Sequence, residues 1–155
     1  MTAHASEAVG RDCLHASCVV MDGIGVLLRG ASGAGKSDLT LRLLALGAGL
    51  VADDQVIVTQ TASGIAAMPP PPLAGWLEVR GLGVVSQPWQ NCGRVELVID
   101  LVAADQVPRW PDESLSTVIL GTQIPLLRLC PWEVSAPLKV RLAVRLLKGD
   151  IIRPS

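Results

Sequence analysis

The segment Gly30-Ala31-Ser32-Gly33-Ala34-Gly35-Lys36-Ser37 satisfies the pattern Gly, four residues, Gly-Lys-Ser, the signature of a loop that cradles phosphate groups. Its flanks suit that role. Ile24 to Leu28 is apolar enough for a buried strand, and Ser37 to Leu46 carries Leu39, Leu43 and Leu46 at helical spacing, with Leu44 beside them. Strand, glycine turn and helix start therefore follow in the order the loop needs. Gly30, Gly33 and Gly35 are expected to let the backbone bend with positive φ and turn successive N–H groups toward phosphate oxygens at the positive end of the helix. Lys36 supplies a point charge to the distal phosphates, and the Ser37 hydroxyl a ligand for Mg²⁺. A nucleotide triphosphate is the ligand class that these eight residues point to.

A chain of 155 residues that is 50% hydrophobic and 17% charged suits one core, so a single domain is expected over 12–155, behind a flexible leader at 1–11 that holds His4. A net charge of −1 spreads no basic field for duplex nucleic acid, and with no Phe or Tyr and four Trp the chain offers little platform for single strands. Cys13, Cys18, Cys92 and Cys130 form no Cys-x-x-Cys pair, which argues against a zinc site or a disulfide framework; they read as core thiols of a cytoplasmic protein. The leader lacks a basic start and an apolar centre, and no apolar run reaches membrane-spanning length.

Before the loop, Cys13 to Met21 alternates, with Leu14, Ala16, Cys18 and Val20 on one face and His15, Ser17 and Val19 on the other; Asp22-Gly23 then predicts a hairpin to the loop strand. After the loop, Gly47-Ala48-Gly49 ends the helix, and the strand from Leu50 to Val58 is interrupted by Asp53-Asp54. Carboxylates there need a partner, which a magnesium nucleotide would be. Neighbouring residues of an extended chain face opposite ways, so both acids serve one site only if the backbone bends between them. Thr59 to Met68 reads as two short strands around Ser63-Gly64, and Pro69 to Pro72 as an extended loop. In Gly75 to Val85, Glu78 and Arg80 suit either a polar pair beside a ligand or a surface salt bridge. Val95 to Leu101 alternates with Val95, Leu97, Ile99 and Leu101 inward; Asp100 is a second candidate magnesium ligand or simply an outward residue. A loop follows at Pro108 to Ser116, then short strands at Thr117 to Leu120 and Gln123 to Leu129. A closing helix is predicted from Ala136 to Lys148, capped by Ser135 and ended by Gly149, with Arg141, Arg145 and Lys148 sharing one face, either solvated or docking a protein. Many strands and two helices make this an α/β phosphate-loop domain with a mixed, mostly antiparallel sheet.

His15, the Gly30 to Ser37 loop, Val51-Ala52-Asp53-Asp54-Gln55-Val56 and Leu77-Glu78-Val79-Arg80-Gly81-Leu82-Gly83, in that order, resemble the catalytic domain of the HPr serine kinase/phosphorylase family. Arg109-Trp110-Pro111-Asp112-Glu113 is similar to that family's arginine loop. The resemblance implies an HPr kinase and PEP carboxykinase-like fold, ATP and Mg²⁺, and transfer to a serine of the phosphocarrier HPr by a homo-oligomer, often a hexamer. It implies Asp54 as base with Asp53 near the metal, Ser37 with Glu78 or one of the Asp pair as metal ligands, His15 supporting the base, and Arg109 on the transferred group. Two departures stand out: the family's N-terminal domain is missing, as in the short form of many alphaproteobacteria, and Ser135-Ala136-Pro137-Leu138 replaces the Pro-Gly-Arg-Asn element associated with the phosphorylase reaction. A small-molecule kinase with the same loop and a nucleotide-sensing regulator without chemistry are the alternatives.

Overall fold

The structure, a computed structural model, describes residues 10–154; most of the expected leader, His4 included, lies outside the described residues. Eleven strands and two α-helices are named here in chain order. β1 (Arg11–Leu14), β2 (Ala16–Met21) and β3 (Ile24–Arg29) precede α1 (Lys36–Ala45). Then come β4 (Gly49–Ala52), β5 (Val56–Thr61), β6 (Gly64–Met68), β7 (Trp76–Val79), β8 (Gly83–Ser86) and β9 (Gly93–Leu101). β10 (Ser116–Ile119), β11 (Thr122–Leu129) and α2 (Ala136–Lys148) close the chain.

The main sheet runs β1-β5-β6-β9-β3-β2-β4, with β11 added to β9 and β10 to β11. Among the named strands of the described residues only β3 with β9 and β9 with β11 pair in parallel, so the sheet is mixed and mostly antiparallel, as expected. Asp22 (φ 50°) and Gly23 (φ 80°) form the predicted turn, with Val19 opposite Val26 across the hairpin. Leu120 (φ 48°) and Gly121 (φ 79°) make the same kind of turn between β10 and β11.

Where Cys13 to Met21 and Leu50 to Val58 each read as one run, the structure breaks both at one place. β1 ends at Leu14 and β2 starts at Ala16, leaving His15 in a bend; β4 ends at Ala52 and β5 starts at Val56, leaving Asp53-Asp54-Gln55 between them. The antiparallel register is the same on either side of the gap, with Leu14 opposite Val56 and Cys18 opposite Ala52. Because β4 lies at one end of the strand order and β5 near the other, the sheet curls until its ends meet at this gap.

The curl creates two cores. Ala16, Cys18, Leu27, Val51, Val56, Val58, Ile65, Val98 and Leu126 pack against one another without help from a helix. On the other face Val19, Val26, Leu28, Leu97 and Ile99 pack under Leu39 and Leu43 of α1 and Val140 and Val144 of α2. β9 is therefore buried on both faces. Val95 falls with the first core and Leu97 with the second, since the register with β3 shifts between Gly25 and Val26; the simple alternation placed both on one side.

α2 has the predicted bounds, and Gly149 (φ 79°) ends it. Ser135 does not cap it through its side chain; its carbonyl accepts from Lys139 N–H at 2.9 Å. Arg141 is not part of a free basic face, because its guanidinium donates to Leu46 O at the end of α1 at 2.7 Å. The four cysteines also divide. Cys18 and Cys130 are buried, but Cys13 and Cys92 are exposed and are not core thiols. Among the described residues no helix is long and apolar enough to cross a membrane.

Candidate active site

β3 delivers the chain into the phosphate loop, and α1 starts at Lys36. Gly33 (φ 81°) and Gly35 (φ 100°) hold left-handed conformations, as the motif requires. Gly30 does not. It is glycine for space, since a Cβ there would lie 2.9 Å from Ala34 Cβ and 3.4 Å from Leu101 Cβ. Among the loop's described contacts only Ala34 N–H has a backbone acceptor, Ala31 O at 2.9 Å; the N–H groups of Gly33, Gly35, Lys36 and Ser37 are left for a ligand. Lys36 is 5% exposed, and its ammonium donates to Gly30 O at 2.6 Å and Ala31 O at 3.1 Å, which leaves one proton of three for an anion.

The gap where the two runs break stands beside this loop. Asp53 is 9% exposed and accepts four contacts from three donors. Ser17 Oγ donates to its Oδ1 at 2.9 Å, Ser37 Oγ lies 2.9 and 3.0 Å from its two oxygens, and Glu78 N–H donates to Oδ2 at 3.2 Å. No cation of the chain pairs with Asp53 among the described residues. A nearly buried carboxylate satisfied only by neutral donors, one of them the loop serine, fits a divalent cation that takes oxygen ligands from protein and phosphate together. No group of three or more His, Cys, Asp or Glu side chains gathers into a metal cluster among the described residues.

Asp54 points elsewhere. Its φ is 67°, rare for a residue with a side chain, and Gln55 N–H closes the bend onto Asp53 O at 2.8 Å. Its N–H donates to Ser17 Oγ at 3.1 Å, while its Oδ1 meets His15 Nε2 at 2.7 Å, both side chains being 53% exposed. The backbone bend that shared service of the acids demands is therefore present, and it turns one carboxylate inward to Ser37 and the other outward to solvent.

Ser17 ties both acids together and was not singled out from the sequence. The available signal was the strand alternation, which put it on the face of His15. Glu78 arrives on the β7–β8 hairpin; its backbone holds Asp53, and its carboxylate is exposed with no protein partner among the described residues. Asp100 is accounted for differently. It stands opposite Arg29 and receives that guanidinium at both oxygens, 2.8 and 3.2 Å, so its carboxylate is engaged in an ion pair within the sheet. Arg109 is not brought to the acids: its guanidinium lies 5.5 Å over the Trp110 ring, on a loop lining a groove of about 270 Å³ beside α2.

A family model described as the HPr serine kinase C-terminal domain matches residues 7–131. The chain belongs to that family. Its relatives include the HPr kinase/phosphorylase of Chlorobium phaeobacteroides, 34% identical over 74% of this chain and 39% of that protein. The HPr kinase/phosphorylase of Bordetella petrii is 40% identical over 68% of this chain and 39% of that protein. The chain thus spans about two fifths of the length of the curated relatives it matches. Among solved structures, the Hpr(Ser) kinase/phosphatase from Coxiella burnetii matches with a TM-score of 0.78 at 27% identity, covering 90% of this chain and 92% of that one. The curled mixed sheet with two helices is accordingly the fold of this family.

Proposed function

We propose that this chain is an ATP-dependent protein-serine kinase acting on an HPr-type phosphocarrier protein, as a homo-oligomer in the cytoplasm. The observation that carries the reading is the divided acid pair, Asp53 bonded to the loop serine and Asp54 turned outward against His15. The free N–H groups of Gly33 and Gly35 and the ammonium of Lys36 bind the ATP phosphates. Ser37 and Asp53, with Glu78 beside them, would hold Mg²⁺, which when bound neutralises charge on those phosphates.

Asp54 has one oxygen on His15 and the other without a protein partner among the described residues, so Oδ2 accepts the proton of the incoming serine as its oxygen attacks the γ-phosphorus of ATP and the bond from that phosphorus to the bridging oxygen breaks, releasing ADP. A hydroxyl is a poor nucleophile until a base takes that proton. His15 fixes the carboxylate's orientation and supports its charge. Arg109 is assigned to the charge on the transferred group, which requires its guanidinium to leave the Trp110 ring. The kinase direction alone is proposed, because the sequence contains no Pro-Gly-Arg-Asn element of the kind the family associates with the phosphorylase reaction.

Incubation with Mg-ATP and HPr, followed by mass spectrometry, is expected to place phosphate on an HPr serine. Absence of transfer under conditions where ATP binds removes the reading. Turnover with a metabolite while HPr stays inert replaces it with a small-molecule kinase.

A further inference from the structure

The phosphate loop has an aromatic neighbour that the mechanism above does not use. A Cβ built on Gly35 would lie 3.0 Å from Pro131 Cγ and 3.2 Å from Trp132 Cη2, so the indole edge rests on the loop at the start of α1. The ring is otherwise open, with Trp132 63% exposed. Its backbone is not free. Arg42 donates to the carbonyls of both neighbours, Pro131 and Glu133, the latter at 3.2 Å, and is itself braced by Asp38 at 3.0 Å; Lys139 holds the Glu133 carboxylate at 3.1 Å. An exposed indole beside a phosphate-loop glycine, on a backbone pinned at both neighbouring residues, is a π surface already in place at the loop.

We propose that Trp132 stacks on the base of the bound nucleotide and so supplies the base-binding half of a site whose phosphate-binding half is the loop. The inference rests on the nucleotide reading of the loop. A base joined to phosphates cradled at Gly35 can stack on a flat apolar surface beside that glycine, and in a chain with no Phe or Tyr the ring that the structure places there is the Trp132 indole. Stacking reads the π face and tolerates changes at the base edge, so a purine is favoured by overlap area and not by hydrogen-bond pattern.

The test is calorimetry of the full chain with Mg-ADP and, separately, with magnesium tripolyphosphate, which has the phosphates and no base. W132A is expected to weaken ADP roughly ten- to a hundredfold while leaving tripolyphosphate within about twofold, and W132F to recover most of the loss. Unchanged ADP affinity in W132A overturns the proposal; if the KM for HPr rises in that variant instead, the indole belongs to protein docking. Equal loss of both ligands also overturns it, since the ring would then only buttress the loop. If the unaltered chain binds neither ligand, the nucleotide reading itself fails and this inference goes with it.

Discussion

Replacing Asp54 with Asn separates a residue kept for chemistry from one kept for the fold. Asp54 sits at φ 67°, where most side chains cost about 1–2 kcal/mol, but Asn tolerates that region as Asp does, so the backbone gains no new strain. The other loss is the contact with His15. Both side chains are 53% exposed, which limits such a pair to about 0.2–1 kcal/mol, and the Asn oxygen still accepts from Nε2–H. Unfolding in urea should therefore show a loss below about 1 kcal/mol, a shift in Tm of roughly 2–4 °C for a domain of this size. Transfer to HPr at saturating Mg-ATP should fall by roughly 10²–10⁴, the share of a positioned base, with ATP affinity kept. Retention of the rate within about tenfold refutes Asp54 as the base. A stability loss of about 3 kcal/mol or more, the size seen when a buried pair is broken, would mean that the residue holds the fold and the exposure argument is wrong.

Asp100→Asn should lower stability by about 1–3 kcal/mol through the broken Arg29 pair, measured by urea unfolding, without altering the magnesium dependence of ATP binding; loss of that dependence would return Asp100 to the metal site. Leu43→Ala, at a fully buried position between α1 and the sheet, should cost roughly 2–5 kcal/mol by the same assay, and a loss below about 1 kcal/mol would contradict the packing described. Burial, with the nearby Cys92 second, pushes the Cys18 thiol up to about 12, so at pH 8 it stays protonated and unreactive. A thiol reagent should label Cys13 and Cys92 in the folded chain and Cys18 and Cys130 only after denaturation; labelling of native Cys18 at a comparable rate would overturn its placement.

Local signals in the sequence were easy to read because they depend on near neighbours. Gly33 and Gly35 of the loop, the Asp22-Gly23 turn and the bounds of α2 are set within a few residues, and the structure has them where turn and helix chemistry put them. The gap at His15 and Asp53-Asp54 was visible only in half, as charge interrupting an apolar run. That both runs break at one point of a shared ladder is a matter of register between segments far apart in the chain, which periodicity does not encode. Asp100 shows the same limit: its place on an alternating strand was clear, but its partner is Arg29, across a parallel pairing that no local pattern announces. Trp132 is one more such case, since nothing near it in sequence indicates Gly35 as its neighbour.

The division of labour between the two acids is tested most directly by titrating ATP into Asp53→Asn and Asp54→Asn with and without Mg²⁺. Magnesium is expected to tighten ATP binding in the unaltered chain and in Asp54→Asn, and this tightening to be lost in Asp53→Asn, whose carboxylate is the one bonded to Ser37. Full magnesium enhancement in Asp53→Asn, or its equal loss in both variants, would contradict it.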